Sequence, residues 1–260
     1  MSKKTALITG ASSGIGAAFA SALASSGHDL ILVARSKNKL DAIAAILTAA
    51  HHCKVAVITA DLTEPDAVAK LKAEVARRKL TVEVLVNNAG FGSGGDFAES
   101  DAPRNADMIS LNVAAVVALS HAFLPSMIKR KSGAIINVAS TSAFQPLPFL
   151  ALYAASKAFV LSFSEALWGE VKGKGVKVLA LCPGPVDTPF FEASGSPEMK
   201  NKVPRPMMMT ADVVVAQALK GLKSGKAVVV PGWPNKITSF IPRLMPRQLL
   251  TKASGQLMKH

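Results

Sequence analysis

A single doubly wound parallel α/β domain is the fold class this sequence predicts, and three observations predict it. Short, continuous apolar runs recur along the 260 residues and alternate with longer segments of helical character. The runs are rich in Val, Ile and Leu, the composition of strands covered by helices on both faces. A glycine-rich turn, Thr9 to Gly16, follows the first run and opens a helix.

The elements follow in order. Ala6–Ile8 is the first strand, and the helix after the glycine turn runs through about Ser26. Leu30–Val33 is the second strand and Lys39–Ala50 the next helix. Val55–Ile58 is the third strand; Thr63 is placed to cap a helix that carries Pro65 in its first turn and ends near Lys79. Val84–Val86 is the fourth strand, with a long helix from roughly Asp107 to Lys129 behind it. Ala134–Val138 is the fifth, followed by a helix that carries Tyr153 and Lys157 and ends near Val171. Val176–Leu181 is the sixth strand, Thr210–Lys223 a helix and Ala227–Val230 the seventh strand. Right-handed crossovers then put ligands at the carboxyl ends of the strands, near the switch point. The catalytic unit is expected to span residues 1–232, with a lid over about 187–210 and a basic, amphipathic extension over 233–260.

Composition bounds the function classes. Half of the residues are hydrophobic and 5% aromatic, so the core is expected to be built from Ala, Val, Leu and Ile. No run of eighteen apolar residues occurs, and the amino terminus leads straight into a strand pattern, so neither a transmembrane helix nor a signal peptide is expected and the placement is cytoplasmic. Cys53 and Cys182 form no ligand or redox spacing and are expected as buried free thiols, with no metal site. The net charge of +13 points to an anionic partner. Nucleic acid is a poor fit, because one Tyr and two Trp give no stacking platform.

Tyr153, the only tyrosine, stands four residues before Lys157, which puts a phenol and an ammonium on one helix face. A cation beside a phenol favours phenolate and is expected to lower its pKa. The glycine turn brings backbone N–H groups and a helix amino end to a pyrophosphate. At the end of the second strand a carboxylate would bind the ribose hydroxyls of NAD; Arg35 and Ser36 stand there instead and suit a 2′-phosphate. NADP(H) is therefore the expected cofactor in preference to NAD(H).

Thr9-Gly10-x-x-x-Gly14-x-Gly16, Asn87-Asn88-Ala89-Gly90, Ser140, Tyr153-x-x-x-Lys157 and Pro183-Gly184 stand in the order and spacing of the classical short-chain dehydrogenases/reductases, and the chain resembles that family over about residues 3–232. The resemblance implies a Rossmann-type domain in which Gly10, Ser12, Ser13, Gly14, Ile15 and Gly16 surround the pyrophosphate. Asp61 and Leu62 would contact adenine, and Asn88, Ala89 and Gly90 the adenosine ribose. Pro183, Gly184, Val186 and Thr188 would hold the nicotinamide carboxamide. Ser13 stands where many NADP-preferring members carry a basic residue, which leaves that preference to Arg35 and Ser36. By the same resemblance Tyr153 would protonate a carbonyl oxygen, Ser140 would donate a second hydrogen bond to it, Lys157 would keep the phenol acidic and bind the nicotinamide ribose, and Asn112 would anchor a proton-relay water.

The expected function is reversible reduction of a carbonyl to an alcohol. A 3-oxoacyl-thioester reductase of lipid synthesis is the alternative enzyme, and a non-catalytic NADP-sensing or membrane-associated binding protein the alternative from another class. Phe190, Phe191 and Met207–Met209 in the lid suit an apolar substrate or pack the lid onto the core. Beyond Asp212 the chain has no acid but eight Lys and Arg, and Pro242 and Pro246 break the tail into pieces. That tail is expected either on an anionic membrane surface or against a neighbouring subunit of a homodimer or homotetramer.

Overall fold

The structure is a computed structural model that describes residues 4–194 and 199–258. Residues 195–198 of the expected lid and Lys259 of the basic tail lie outside the described residues. Seven parallel strands form one sheet: β1 (Thr5–Thr9), β2 (Asp29–Ala34), β3 (Val55–Thr59), β4 (Val82–Asn87), β5 (Gly133–Val138), β6 (Val176–Leu181) and β7 (Val228–Val229). Their order is β3-β2-β1-β4-β5-β6-β7, so the direction of winding reverses between β1 and β4. The helices are α1 (Gly14–Ser25), α2 (Lys37–His51), α3 (Ala67–Arg77), α4 (Ala102–Ile109), α5 (Ala115–Lys129), α6 (Ala151–Glu170), the short α7 (Phe190–Ala193) and α8 (Met199–Lys202), α9 (Ala211–Lys223), α10 (Trp233–Phe240) and α11 (Arg247–Met258).

The two faces of the sheet explain the apolar runs. Side chains alternate along a strand. Ala6, Ile8, Leu30, Leu32, Val84 and Val86 therefore pack with Phe19, Leu40 and Val214 of α1, α2 and α9 on one face. Leu7, Ile31, Val33 and Leu85 pack with Leu71, Leu119 and Phe123 of α3 and α5 on the other. Polar residues in this core pair with one another. Asn87 donates to Asn137 (2.8 Å) and Ser120 (3.2 Å), and Asn137 donates to Ser164 (2.9 Å), which ties the ends of β4 and β5 to α5 and α6.

Two elements differ from expectation. Thr63 does not cap a helix: its N–H and hydroxyl both donate to Asp61 Oδ1, and α3 begins at Ala67 behind Asp66. The local carboxylate takes both Thr63 donors into a turn and delays the helix. The helix expected from Asp107 begins at Ala102 and widens into a π turn over Ser110–Ala114 before continuing as α5. The whole stretch Ala102–Lys129 has mean hydropathy 1.7 and is long and apolar enough to cross a membrane by length and composition. Here its Ala115, Leu119, Phe123 and Met127 are core residues packed on the sheet.

Candidate active site

The carboxyl ends of β1, β4, β5 and β6 converge where the winding reverses, the place at which doubly wound sheets hold ligands. Gly10 turns the chain out of β1 at φ 64°, a left-handed conformation that glycine adopts without strain. The turn is tight. A Cβ on Gly10 would lie 2.8 Å from Asn88 Nδ2, and one on Gly16 would lie 2.2 Å from the Gly10 carbonyl oxygen. Thr9, quoted above only as part of a motif, is the clamp: its hydroxyl accepts from the N–H groups of Asn88 and Ala89, both at 3.0 Å. Asn88 Nδ2 donates back to the Thr9 carbonyl at 2.9 Å. The loop Asn88–Gly90 is thus fixed against the glycine turn.

The amino end of α1 suits a pyrophosphate on two counts. Ser13 precedes the helix without a side-chain capping bond, and the first turn carries no acid, so its N–H groups face no competing carboxylate there. Gly14 lies under Thr188, whose methyl would be 3.1 Å from a Cβ at that position; this brings the segment after Pro183-Gly184 onto the same turn. Ser12 and Ile15 flank the turn and are partly buried. Arg35 projects from the end of β2 with a side chain 79% exposed, and Ser36 follows it. Arg35 Nη1 stands 3.8 Å from Asp61 Oδ2, which bridges the two positions expected at the adenosine end. Burial raises the Asp61 pKa, but the Thr63 donors and the Arg35 charge outweigh it and hold the carboxyl below its usual range. Leu62 beside it is buried.

Ser140, Tyr153 and Lys157 meet at the end of β5. Ser140 starts a short turn whose geometry its own hydroxyl fixes by accepting from Ser142 N at 3.1 Å. It also stands beside the Tyr153 phenol and favours its ionised form. Lys157 is 5% exposed, and its Nζ donates to the Val138 carbonyl at 2.9 Å, 5.8 Å from the centre of the Tyr153 ring. The expectation of an acidified phenol fails in the protein by itself. Tyr153 is half-buried, yet the protein packed around its hydroxyl pushes the pKa up to about 12, and Ser140 beside it recovers only part of that. Burial pulls Lys157 down to about 8. Desolvation is the largest cause of both shifts, and the ammonium sits beside the ring, tied to Val138.

Asn112 is fully buried within the π turn. Its Oδ1 accepts from Phe91 N (3.1 Å), while Nδ2 donates to the Phe91 carbonyl (2.9 Å) and Ser156 Oγ (3.1 Å). The side chain therefore fixes the strand end after Gly90 to α6, next to Lys157. Its Oδ1 would be 2.8 Å from a Cβ on Gly90, and Lys157 Nζ 3.4 Å from the same point, so only glycine leaves this approach open.

On the far side, Asp187 N donates to Met209 O and Met209 N to Pro185 O, closing the base of the lid beside the Val186–Met209 bridge. Phe190 packs its ring 5.7 Å from that of Tyr153 and 6.3 Å from that of Phe191. This segment thus sets an aromatic wall against the phenol. One contributor escaped sequence reasoning. Asn235 of α10 is fully buried, lies against Gly184 where a Cβ would be 2.4 Å from its Oδ1, and donates to the carbonyls of Met207 and Pro231, both at 3.2 Å. No local pattern marks it, because its partners come from the lid and the strand end. Asn235→Ala is expected to cost about 1–3 kcal/mol of stability in urea unfolding, and to raise substrate KM more than it lowers kcat. A cavity of about 480 Å³ lined by Ala154, Ala155, Ala158, Phe144 and Arg247 lies on another face of α6 and contains neither Ser140 nor Tyr153.

A glycine-clamped helix end at a sheet switch point, leading to adjacent Ser140 and Tyr153 and a buried lysine, defines a dinucleotide-dependent oxidoreductase. Residues 4–198 match the short chain dehydrogenase family, and the chain belongs to it. The very-long-chain 3-oxoacyl-CoA reductase of Anas platyrhynchos is 34% identical over 97% of this chain and 80% of its own length. Among solved structures, a short-chain dehydrogenase from Sphingobium yanoikuyae in complex with NADPH superposes with a TM-score of 0.81 at 36% identity, covering 87% of each chain. The bulky-bulky ketone specific alcohol dehydrogenase from Comamonas testosteroni does so with a TM-score of 0.79 at 32% identity, covering 94% of each chain. The protein is accordingly an oxidoreductase acting on carbonyl or alcohol groups of a small molecule, in a family that uses NAD(P).

Proposed function

We propose that the protein is an NADPH-dependent reductase of apolar carbonyl compounds, with Ser140, Tyr153 and Lys157 as its catalytic residues. The observation that carries this is the convergence of Ser140, the Tyr153 phenol and the buried Lys157 at the end of β5, with Phe190 packed on the phenol ring. NADPH supplies the hydride when bound. The chain would hold it through the N–H groups at the start of α1, the backbone of Asn88–Gly90, Asp61 and Leu62 at the adenine end, and the segment Pro183–Thr188. Ser140 and Tyr153 donate to the carbonyl oxygen; Tyr153 passes it a proton, and Lys157 stabilises the phenolate left behind. Asn112 positions the Phe91 backbone and Ser156 around Lys157, and its π turn interrupts the regular helical hydrogen bonding where a relay water would be held.

Arg35 supports the preference for NADPH, being exposed at the end of β2 where a 2′-phosphate would lie. Arg35→Ala is expected to weaken NADPH about tenfold to a hundredfold by removing a charge-assisted bond, with NADH nearly unchanged, as measured by fluorescence titration. Equal losses for the two would remove the phosphate assignment. A second test is pH. Tyr153, near 12, stays protonated across the working range, whereas Lys157 loses its proton as pH rises through about 8. Reduction needs the charged lysine, so kcat/KM for the carbonyl is expected to be full below that value and to fall above it.

Substrate length separates the remaining readings. The 34% identity to a very-long-chain 3-oxoacyl-CoA reductase over nearly the whole chain favours 3-oxoacyl thioesters as the second candidate class. Turnover of NADPH with simple ketones, ketosteroids and 3-oxoacyl thioesters of graded length decides between them. Activity confined to short polar carbonyls would sink the apolar assignment.

A further inference from the structure

Helix α10 is packed inside out. Asn235 is fully buried and Ser239 only 6% exposed, while Trp233 is 72%, Ile237 51% and Phe240 54% exposed. The apolar face continues through the next turn with Ile241 at 42% and Leu244 at 73%. At helical spacing these five side chains fall within an arc of about 100°. A surface helix ordinarily turns that stripe inward. Here the Asn235 amide, bonded to Met207 and Pro231, holds the polar side against the protein and leaves the apolar stripe outside.

The charge around the stripe indicates its partner. Lys236 and Arg243 flank it, Arg247 and Lys252 follow on α11, and none of the four forms an ion pair among the described residues. No acid occurs after Asp212. A second copy placed on this face would set the cations of one chain against those of the other, which disfavours pairing. An anionic bilayer surface matches both features, taking aromatic and aliphatic side chains at the headgroup boundary and cations among the headgroups.

We infer that the face formed by Trp233, Ile237, Phe240, Ile241 and Leu244 docks on an anionic phospholipid bilayer, with Lys236 and Arg243 on its headgroups. Through Asn235 and Met207 the docked helix holds the lid beside the bilayer, where an apolar carbonyl compound concentrates. That consequence rests on the substrate class proposed above; the docking does not.

The test is flotation of the full chain with phosphatidylcholine vesicles, with and without phosphatidylserine, alongside NADPH turnover on a water-soluble ketone. The wild type is expected to float with the anionic vesicles and to be released by salt. The triple variant Trp233→Ser/Phe240→Ser/Leu244→Ser is expected to lose at least about tenfold in partitioning, and Lys236→Gln or Arg243→Gln about fivefold each. Soluble-ketone turnover and NADPH affinity should stay unchanged in all three, which separates failure of docking from failure of the catalytic assignment. A wild type that stays with the soluble fraction, or a triple variant that floats like the wild type, overturns the inference. So does a wild-type dimer that ignores vesicles and that the triple variant dissociates, because the face would then cover a second copy.

Discussion

Tyr153→Phe is expected to lower carbonyl reduction about a thousandfold, the loss of a positioned general acid, while NADPH affinity stays within a few-fold. The phenol is singular in two senses. It is the only tyrosine in the chain, and it stands between Ser140 and the buried Lys157. Phenylalanine keeps the ring that packs against Phe190, so the aromatic wall survives and the substrate pocket keeps its shape. Lys157 keeps its bond to the Val138 carbonyl, so its hold on a nicotinamide ribose would be retained. What vanishes is the proton. Single-turnover stopped-flow absorbance of bound NADPH measures the step, and unchanged thermal melting excludes misfolding. Wild-type rates in Tyr153→Phe would mean that another group protonates the oxygen, and the Ser–Tyr–Lys assignment would fall with it.

The high phenol pKa sharpens this expectation. A tyrosine near 12 is a poor source of protons in the isolated protein, because the phenolate is not paid back in solvation at its buried site. The catalytic increment must then come from charge brought next to the phenolate at the moment of transfer. Lys157 is the cation within reach, and its own value near 8 leaves it charged at neutral pH. Loss of activity above that pH and loss on Tyr153→Phe therefore probe two halves of one proton path.

What was legible in the sequence was whatever rests on local spacing. Tyr153 and Lys157 are separated by one helical turn, and the strands announce themselves as continuous apolar runs because both sheet faces are covered. The glycine turn and Arg35 each occupy a strand end, a position that follows from element order alone. What was not legible depends on which partner captures a side chain. Thr63 has the chemistry of a helix cap, but Asp61, two residues earlier, takes its donors. Lys157 has the spacing to acidify Tyr153, but the Val138 carbonyl holds its ammonium and burial sets the sign of both shifts. Asn235 sits in a tail with no family motif, and only the folded chain brings it against Gly184 and Met207. Its burial also reverses the face that α10 turns to solvent, which hydropathy along the tail could not reveal.

Gly16→Ala is expected to weaken NADPH by about a hundredfold or more. The added methyl would sit 2.2 Å from the Gly10 carbonyl oxygen and 2.6 Å from Asn88 Nδ2. No side-chain rotation relieves the first contact, because the atom met is backbone, and Gly10 itself is held at φ 64° between β1 and the Asn88 loop. The glycine turn must move away from Asn88–Gly90 as a unit. Displacing it by the better part of an ångström misaligns the N–H groups at the start of α1, and losing two charge-assisted bonds to phosphate oxygens costs about 3 kcal/mol, about a hundredfold in affinity. The same shift strains the Thr9–Asn88 clamp, so the melting temperature should also fall. Gly27→Ala is the control. Its Cβ would meet nothing within 4 Å, and its φ of 83° adds a left-handed strain that Gly16, inside α1, does not have, so it tests loss of stability alone. If both variants melt earlier but only Gly16→Ala loses NADPH, the glycine turn is the pyrophosphate cradle. If the two lose affinity alike, general destabilisation explains the effect, and the cradle must be sought elsewhere along the carboxyl edge of the sheet.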